Sequence, residues 1–335
     1  MPLHIIHDDL TSFSADAIVN STDIHYRATG GLDLALQKAA GEGLAKALAK
    51  LPPLTFGGVQ VTEGFSLPYR YILHTACPIY RGGDDFEEDA LFLCYQNALK
   101  KAYDLGCESI AFPLIGTGAL YYPRNSVMKL ATAAIGEFLM EHDMTVFISV
   151  FDKRDFDIDR RLYIDLMHYI AGTYAEPRVS FEAEEAYFEK RHKPRAGISA
   201  QARANMAFPI AEVKLEDLLK DMDAPFSETL FRLIDKKGIS DVECYKRSNV
   251  DKKTFSKIKC NPDYRPSKLT VISFAIGLHL TIEETEALLK TVGLCLSGSS
   301  KFDVIIRYFL TTGNYQTIFD VNEVLYQFDE MTLGC

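Results

Sequence analysis

Apolar residues follow two alternating rhythms between residues 3 and 174. Short runs rich in Ile, Val, Tyr and Phe have the length and residue types of strands: LHII (3–6), AIVN (17–20), GVQVTEG (58–64), YILHTA (71–76), SIAFPLI (109–115) and TVFISVF (145–151). Longer stretches between them repeat apolar positions three and four apart, which predicts helices over 33–50, 87–105, 124–142 and 158–171. Strands alternating with helices in this way predict an α/β fold in which helices cover a mixed sheet. From Phe226 onward the rhythm is helical alone, in SETLFRLIDKKG, DVECYKRSNV, DKKTFSKIKC, KLTVISFAIGLHL and TIEETEALLKTVG. Residues 300–331 read as two more amphipathic helices around a Gly-Asn turn. The stretch between the two regimes has mixed charge, weak periodicity and a Pro-Arg-Ala-Gly breaker, the marks of a linker. The expected division is an α/β domain over 1–174, a linker over 175–224 and a separate all-α domain over 225–335.

A chain of 335 residues suits two domains, and 47% hydrophobic with 24% charged residues is an ordinary globular balance. No apolar stretch approaches the roughly 18 residues of a membrane span. The start, MPLHIIHDDL, lacks a basic segment followed by a long apolar one, so the cytoplasm is the expected location. Seven cysteines without a CxxC pair or neighbouring histidines predict neither a disulfide framework nor a zinc site, so no metal or cofactor is expected. A net charge of −10 opposes indiscriminate nucleic-acid binding, yet residues 236–268 hold ten Lys or Arg against Asp241, Glu243, Asp251 and Asp263, a local charge of +6.

Two places in the first half share one design: an apolar strand, a glycine-bearing loop, then a helix. One is AIVN, STDIHYRAT, GG, LDLALQKAAG; the other is SIAFPLIGTGALYYPRNSV. Glycine lets the backbone approach a ligand closely, and the first turn of a helix carries unpaired N–H groups at the positive end of its dipole. Either loop alone is an ordinary tight turn, but the pair in one domain predicts a cradle for a diphosphate, and hence a nucleotide-sugar type of ligand. Neither GxxxxGK[ST] nor GxGxxG with a downstream acid occurs, which disfavours ATP and dinucleotide hydride chemistry.

On DDLT, DAIVNSTD, GGLDLALQKAAG, VTEGFSLPYRYILHTACPIY and SIAFPLIGTG, taken in order, residues 1–174 resemble the macrodomain, the ADP-ribose-binding α/β/α fold. The resemblance implies a role for each matched position. Asp9 accepts the adenine amino group, and Phe151 stacks on the adenine. Asn20 lies near the distal ribose, and Gly30 and Gly31 bring backbone amides to phosphate. Asp33 orients or activates a water, while Ile115, Gly116, Thr117, Gly118, Ala119 and Leu120 form the second phosphate loop. Asp23 stands where the family has a second asparagine; it and His25 are further acid or base candidates, and a carboxylate there can only accept where an amide donates. Ala28 and Thr29 replace two loop glycines, Leu34 follows Asp33 where a glycine is usual, and Leu120 and Tyr121 replace an aromatic and a glycine. No GGG…QEE pattern for polymer cleavage is present.

The segment 228–294 resembles the helix-turn-helix of Cro/repressor-type regulators, with a turn at SNV and a second helix carrying Lys252, Lys253, Lys257 and Lys259 as expected nucleic-acid contacts. That helix has no Arg, Asn or Gln at its centre, so phosphate contact suits it better than base readout. The helices of 300–331 could pack on this domain or form a homodimer seam. Two functions stay open: ADP-ribose binding with hydrolysis of mono-ADP-ribosyl groups or related metabolites, and non-enzymatic ADP-ribose sensing joined to DNA binding or to an adaptor role.

Overall fold

The computed structural model describes residues 2–28, 30–82, 85–150, 160–174 and 224–334. Six strands are present among them: β1 (Leu3–Ile6), β2 (Ala17–Thr22), β3 (Val59–Glu63), β4 (Tyr71–Ala76), β5 (Ser109–Pro113) and β6 (Thr145–Ser149). They form one mixed sheet in the order β1-β6-β5-β2-β4-β3, parallel throughout except for β3, which runs antiparallel to β4. The central strands are covered on both faces, which is why AIV and IAF read as unbroken apolar runs.

Helices α1 (Gly31–Ala40) and α2 (Glu42–Leu48) cover one face, where Leu36, Leu44 and Leu48 meet Ile18 and Ile72. Helices α3 (Asp85–Asp104) and α4 (Arg124–Glu141) cover the other, where Tyr95, Leu99, Ala131 and Ile135 meet Val19, Leu73, Ile110 and Phe112. The single helix expected over 33–50 is two. Gly41 takes φ +81 and ψ −172, a conformation that a residue with a Cβ rarely adopts, and the chain turns there.

After α5 (Arg160–Tyr174), the described chain resumes with α6 (Phe226–Lys237), α7 (Asp241–Arg247), α8 (Lys252–Cys260), α9 (Lys268–Gly277), α10 (Ile282–Lys290), α11 (Lys301–Thr312) and α12 (Ile318–Gln327). Local chemistry sets their starts. Ser240, Asp251, Ser267, Thr281 and Ser300 each accept a backbone N–H from the first turn of the helix that follows. Thr281 and Glu284 complete a reciprocal capping box. These helices close a third apolar cluster around Phe255, Phe274, Leu288, Ile305 and Phe309, and Leu166 of α5 belongs to it.

The helical half is fastened to the edge of the sheet. In the turn between α7 and α8, Asn249 has φ +52 and is buried; its Oδ1 accepts the Leu3 amide at 2.8 Å, and its Nδ2 donates to Leu3 O at 2.9 Å and to Leu333 O at 3.3 Å. Lys246 Nζ donates to Met140 O at 2.9 Å, and Lys252 lies 3.8 Å from Asp143. Phe319 of α12 packs against both the second and the third apolar clusters. Among the described residues, no helix is long and apolar enough to cross a membrane.

Candidate ligand-binding cleft

A cleft of about 820 Å³ opens beyond the carboxyl ends of the strands, where open α/β sheets receive their ligands. Ser21, Pro113 and Ser149 mark the ends of β2, β5 and β6 on its floor. Asp8 to Thr11 form one wall, and Gly30, Gly31 and Asp33 meet the loop Gly116–Leu120 across it. Its volume is that of a pocket for a ligand of drug or nucleotide size.

The first glycine loop ends at Gly30, the N-cap of α1, in extended backbone with φ −146 and ψ 171 and without a side-chain cap. The amides of the first turn have no acceptor within the helix. A Cβ built on Gly30 or Gly31 would meet nothing within 4 Å, so the space these glycines leave belongs to the cleft and not to neighbouring protein.

The second loop is held from behind. Gly116 has φ +89, and a Cβ there would stand 2.8 Å from the ring of Tyr122, so only glycine fits. The Ile115 amide donates to the buried Tyr95 hydroxyl at 3.0 Å, the Thr117 hydroxyl donates to Leu114 O at 2.9 Å, and the Tyr122 amide donates to Gly116 O at 3.1 Å. With the loop so fixed, the amides of Gly118, Ala119 and Leu120 have no acceptor among the described residues. Gly118, like Gly30, borders open space. Both loops line the one cleft, the first with the amides at the start of α1 and the second with those of Gly118, Ala119 and Leu120, an arrangement suited to anionic oxygens.

At the opposite end, the Asp9 side chain accepts from both the amide and the hydroxyl of Thr11 at 2.8 Å, and these bonds, the amide first, hold its carboxyl below the usual range. The loop is braced by Ser149 Oγ donating to Asp8 O and by Tyr69 Oη donating to Leu10 O.

Asp33 lines the cleft yet is only 2% exposed. Its Oδ1 accepts from Asn20 Nδ2 at 2.8 Å and from Gln37 Nε2 at 3.0 Å. Asn20 lies beneath the floor, at 1% exposure, and touches His74 of β4, with Nδ2 to Nδ1 at 3.3 Å. Ile115 is likewise buried under the loop it was expected to line. Asp23 is not among the lining residues: its carboxylate accepts from the His25 and Arg27 amides and pairs with Arg27 Nε at 2.6 Å. Partial burial pushes its pKa up, but the hydrogen bonds from Arg27 and His25 outweigh this and hold it below the usual range. Leu120 lines the cleft, whereas Tyr121, at φ +62, is exposed. Phe151 lies outside the described residues.

Sequence reasoning missed Ala35, Lys38 and Ala39, which with Gly31 form the cleft-facing stripe of α1. The signal was available as small residues at i, i+4 and i+8 behind Gly31.

The macro domain family matches residues 19–131. A macro domain-containing protein of Chlorobaculum tepidum is 35% identical over 158 residues, which are 47% of this chain and 92% of that protein. This chain belongs to the macro domain family. A protein of Citrobacter rodentium named O-acetyl-ADP-ribose deacetylase is 38% identical to it over 144 residues, 41% of this chain and 80% of its own length. The solved Oceanobacillus iheyensis macrodomain with ADP is 34% identical, covering 50% of this chain and 92% of its own, with a TM-score of 0.45. The matched residues include the cleft's Ser21, Gly30 to Asp33, Pro113, Leu114 and Gly116 to Leu120.

The four basic residues expected to meet nucleic acid all stand on α8 and are exposed. Lys252 leans toward Asp143 of the macro domain and Lys259 pairs with Asp241 at 2.6 Å.

Proposed function

We propose that the macro domain cleft binds ADP-ribose or a derivative that carries it. The observation that carries this reading is the pair of loops, Gly30–Gly31 with the first turn of α1 and Gly116–Leu120, set across one cleft with Asp9 at its other end. The diphosphate lies between the amides, the adenine reaches the Asp9 wall, and the terminal ribose points toward Asp33 above Asn20. The relative from Citrobacter rodentium supports an ester of ADP-ribose as one derivative. Calorimetric titration tests the reading. The parent binds ADP-ribose, and Gly118→Val, whose Cβ enters open space in the cleft with no protein atom within 4 Å, lowers affinity by more than about tenfold without changing the fold. Equal heats from the two proteins would sink it.

Hydrolysis of a mono-ADP-ribosyl group requires a water held at the anomeric carbon and a group to orient it or take its proton. Asp33, which lines the cleft, is the residue we assign to this role. Its Oδ1 accepts from both Asn20 and Gln37, and the Asp23 carboxylate is committed to Arg27. Those commitments support a second reading, a non-enzymatic sensor of ADP-ribose. Turnover of mono-ADP-ribosylated protein and of O-acetyl-ADP-ribose by the parent, lost in Asp33→Ala, identifies the enzyme; binding without turnover identifies the sensor.

In the sensor reading, α7 and α8 form the helix-turn-helix of a separate helical domain, and duplex DNA is its partner. Lys253 and Lys257 of α8 then contact phosphates, and reversing both charges abolishes an electrophoretic shift. No shift by the parent removes DNA from the reading. Sedimentation velocity tests self-association through α11 and α12, whose apolar faces already serve the third cluster.

A further inference from the structure

Behind Asp33 a chain of buried polar side chains crosses the sheet. Asn20 on β2 and His74 on β4 are paired in register, and Thr62 stands on the edge strand β3. All three are buried, His74 completely. Asn20 Nδ2 lies 2.8 Å from Asp33 Oδ1 and 3.3 Å from His74 Nδ1, and His74 Nε2 lies 2.9 Å from Thr62 Oγ1.

The chemistry of each atom fixes the direction of every bond. Asn20 Nδ2 donates to Asp33 Oδ1, so the nitrogen of the Asn20 amide, not its oxygen, faces the carboxyl. An amide nitrogen only donates, so His74 Nδ1 is an acceptor and carries no proton. The neutral ring then bears its hydrogen on Nε2 and donates it to Thr62. Burial keeps the ring neutral, with its pKa pushed down to about 4. Both N–H groups of Asn20 are thereby used, one on Asp33 and one on His74. Its carbonyl Oδ1 is turned away from both and is buried with no partner among the described residues. Gln37 closes the arrangement, donating to Asp33 Oδ1 and to Tyr26 O, and the Tyr26 ring stands edge-on to His74 with centroids 6.0 Å apart.

From this geometry we infer that His74, supported by Thr62, is a positioning residue for the cleft: through Asn20 it fixes the Asp33 carboxylate and the orientation of the Asn20 amide at the terminal-ribose end. The inference rests on the proposal that the cleft binds ADP-ribose with its terminal ribose toward Asp33. An apolar core residue in place of His74 would fill the same volume. It would leave one Asn20 N–H without an acceptor and free the amide to turn, so the hydrogen bond that Asn20 gives Asp33 would no longer be held in place. The consequence falls on one end of the ligand, because the loop Gly116–Leu120 and the Asp9 wall are braced by other residues, Tyr95, Tyr122, Thr11 and Tyr69.

ADP and ADP-ribose differ only by the terminal ribose, so the two ligands separate positioning from general damage. The test is calorimetric affinity of the full chain for each, in the parent, His74→Phe, Thr62→Val and His74→Gln. His74→Phe is expected to weaken ADP-ribose about tenfold, the scale of one misplaced polar group, while ADP stays within about twofold. Thr62→Val, which strands only the Nε2–H, gives a smaller loss with the same selectivity and decides the matter if His74→Phe does not fold. His74→Gln, which offers both an acceptor and a donor, recovers most of the affinity. Equal losses for ADP and ADP-ribose, or no loss for either, overturn the positioning role. Failure of the parent to bind either ligand would instead defeat the underlying ADP-ribose reading and take this inference with it.

Discussion

Two glycines in the same loop are there for opposite reasons. Gly116 is required by the protein: its φ of +89 disfavours any Cβ, and Tyr122 occupies the space a Cβ would need. Gly118 borders only open space. Gly116→Ala is therefore expected to destabilise the macro domain by about 2 kcal/mol, and Gly118→Ala by less than about 0.5 kcal/mol, measured as denaturant midpoints. His74 adds an acid sensitivity. Its folded pKa of about 4 lies below its ordinary value, so the unfolded chain binds the proton more readily. The resulting stability is complete above about pH 6.5 and is lost as the pH falls toward 4, by about 3 kcal/mol in all. The ring faces Asn20, Thr62 and Tyr26, with Asp33 beyond Asn20. His74→Gln should remove this component from the pH dependence of urea unfolding; an unchanged acid limb would contradict it. Of the cleft, the two glycine loops were legible in the sequence as strand-loop-helix patterns, whereas Asp9 and Asp33 were implied by the resemblance to the macrodomain. That Asn20 lies under the floor while Ser21 reaches it was not legible, since a shift of one residue at a strand end exchanges the faces. His74 reads as one polar residue in an apolar strand, and its partners come from β2 and β3, distant in sequence.

At the scale of elements, the strands and helices follow the apolar rhythm closely, and the departures have local causes. Gly41 divides the first long helix, and β5 and β6 end two residues before their apolar runs do. In β5 the last two apolar residues, Leu114 and Ile115, have already entered the loop that approaches the cleft. The turn between α7 and α8 looked in sequence like a helix-turn-helix linker, and its packing gives it a second task. Asn249 exchanges two hydrogen bonds with Leu3 and holds Leu333 as well. Asn249→Ala leaves the Leu3 N–H and C=O buried without partners, while Leu333 O keeps its bond from Asn322 Nδ2, and should cost about 3 kcal/mol by chemical denaturation. Asp143→Asn, which removes the charge of a half-exposed partner of Lys252, should change stability by less than about 0.5 kcal/mol. If the two variants proved equally damaging, the clamp would be no more than surface contact.

For the molecule as a whole, three apolar clusters are built from two stretches of sequence, and Phe319 bridges two of them. The composition pattern announced an α/β half and a helical half, but could not show that α5 shares a cluster with the helices after Pro225. Nor could it show that the sheet edge is closed by a side chain from the far half, because such contacts leave no periodic trace. The parent should unfold in a single calorimetric transition, and the combined Asn249→Ala and Phe319→Ala variant should show two, with the macro domain retaining its affinity for ADP-ribose. A single transition in the combined variant would mean that the halves are joined elsewhere.

The Asn249 clamp also gives the protein a built-in reporter. The Leu3 amide proton is held by a side chain more than two hundred residues away and not by a neighbouring strand, so its exchange with solvent measures how often the helical half lifts from the sheet. The same strand runs on to Asp8 and Asp9 at the wall of the cleft. A change in that one exchange rate when ADP-ribose is added would register, at a single atom, whether occupancy of the cleft is felt by the other half of the chain.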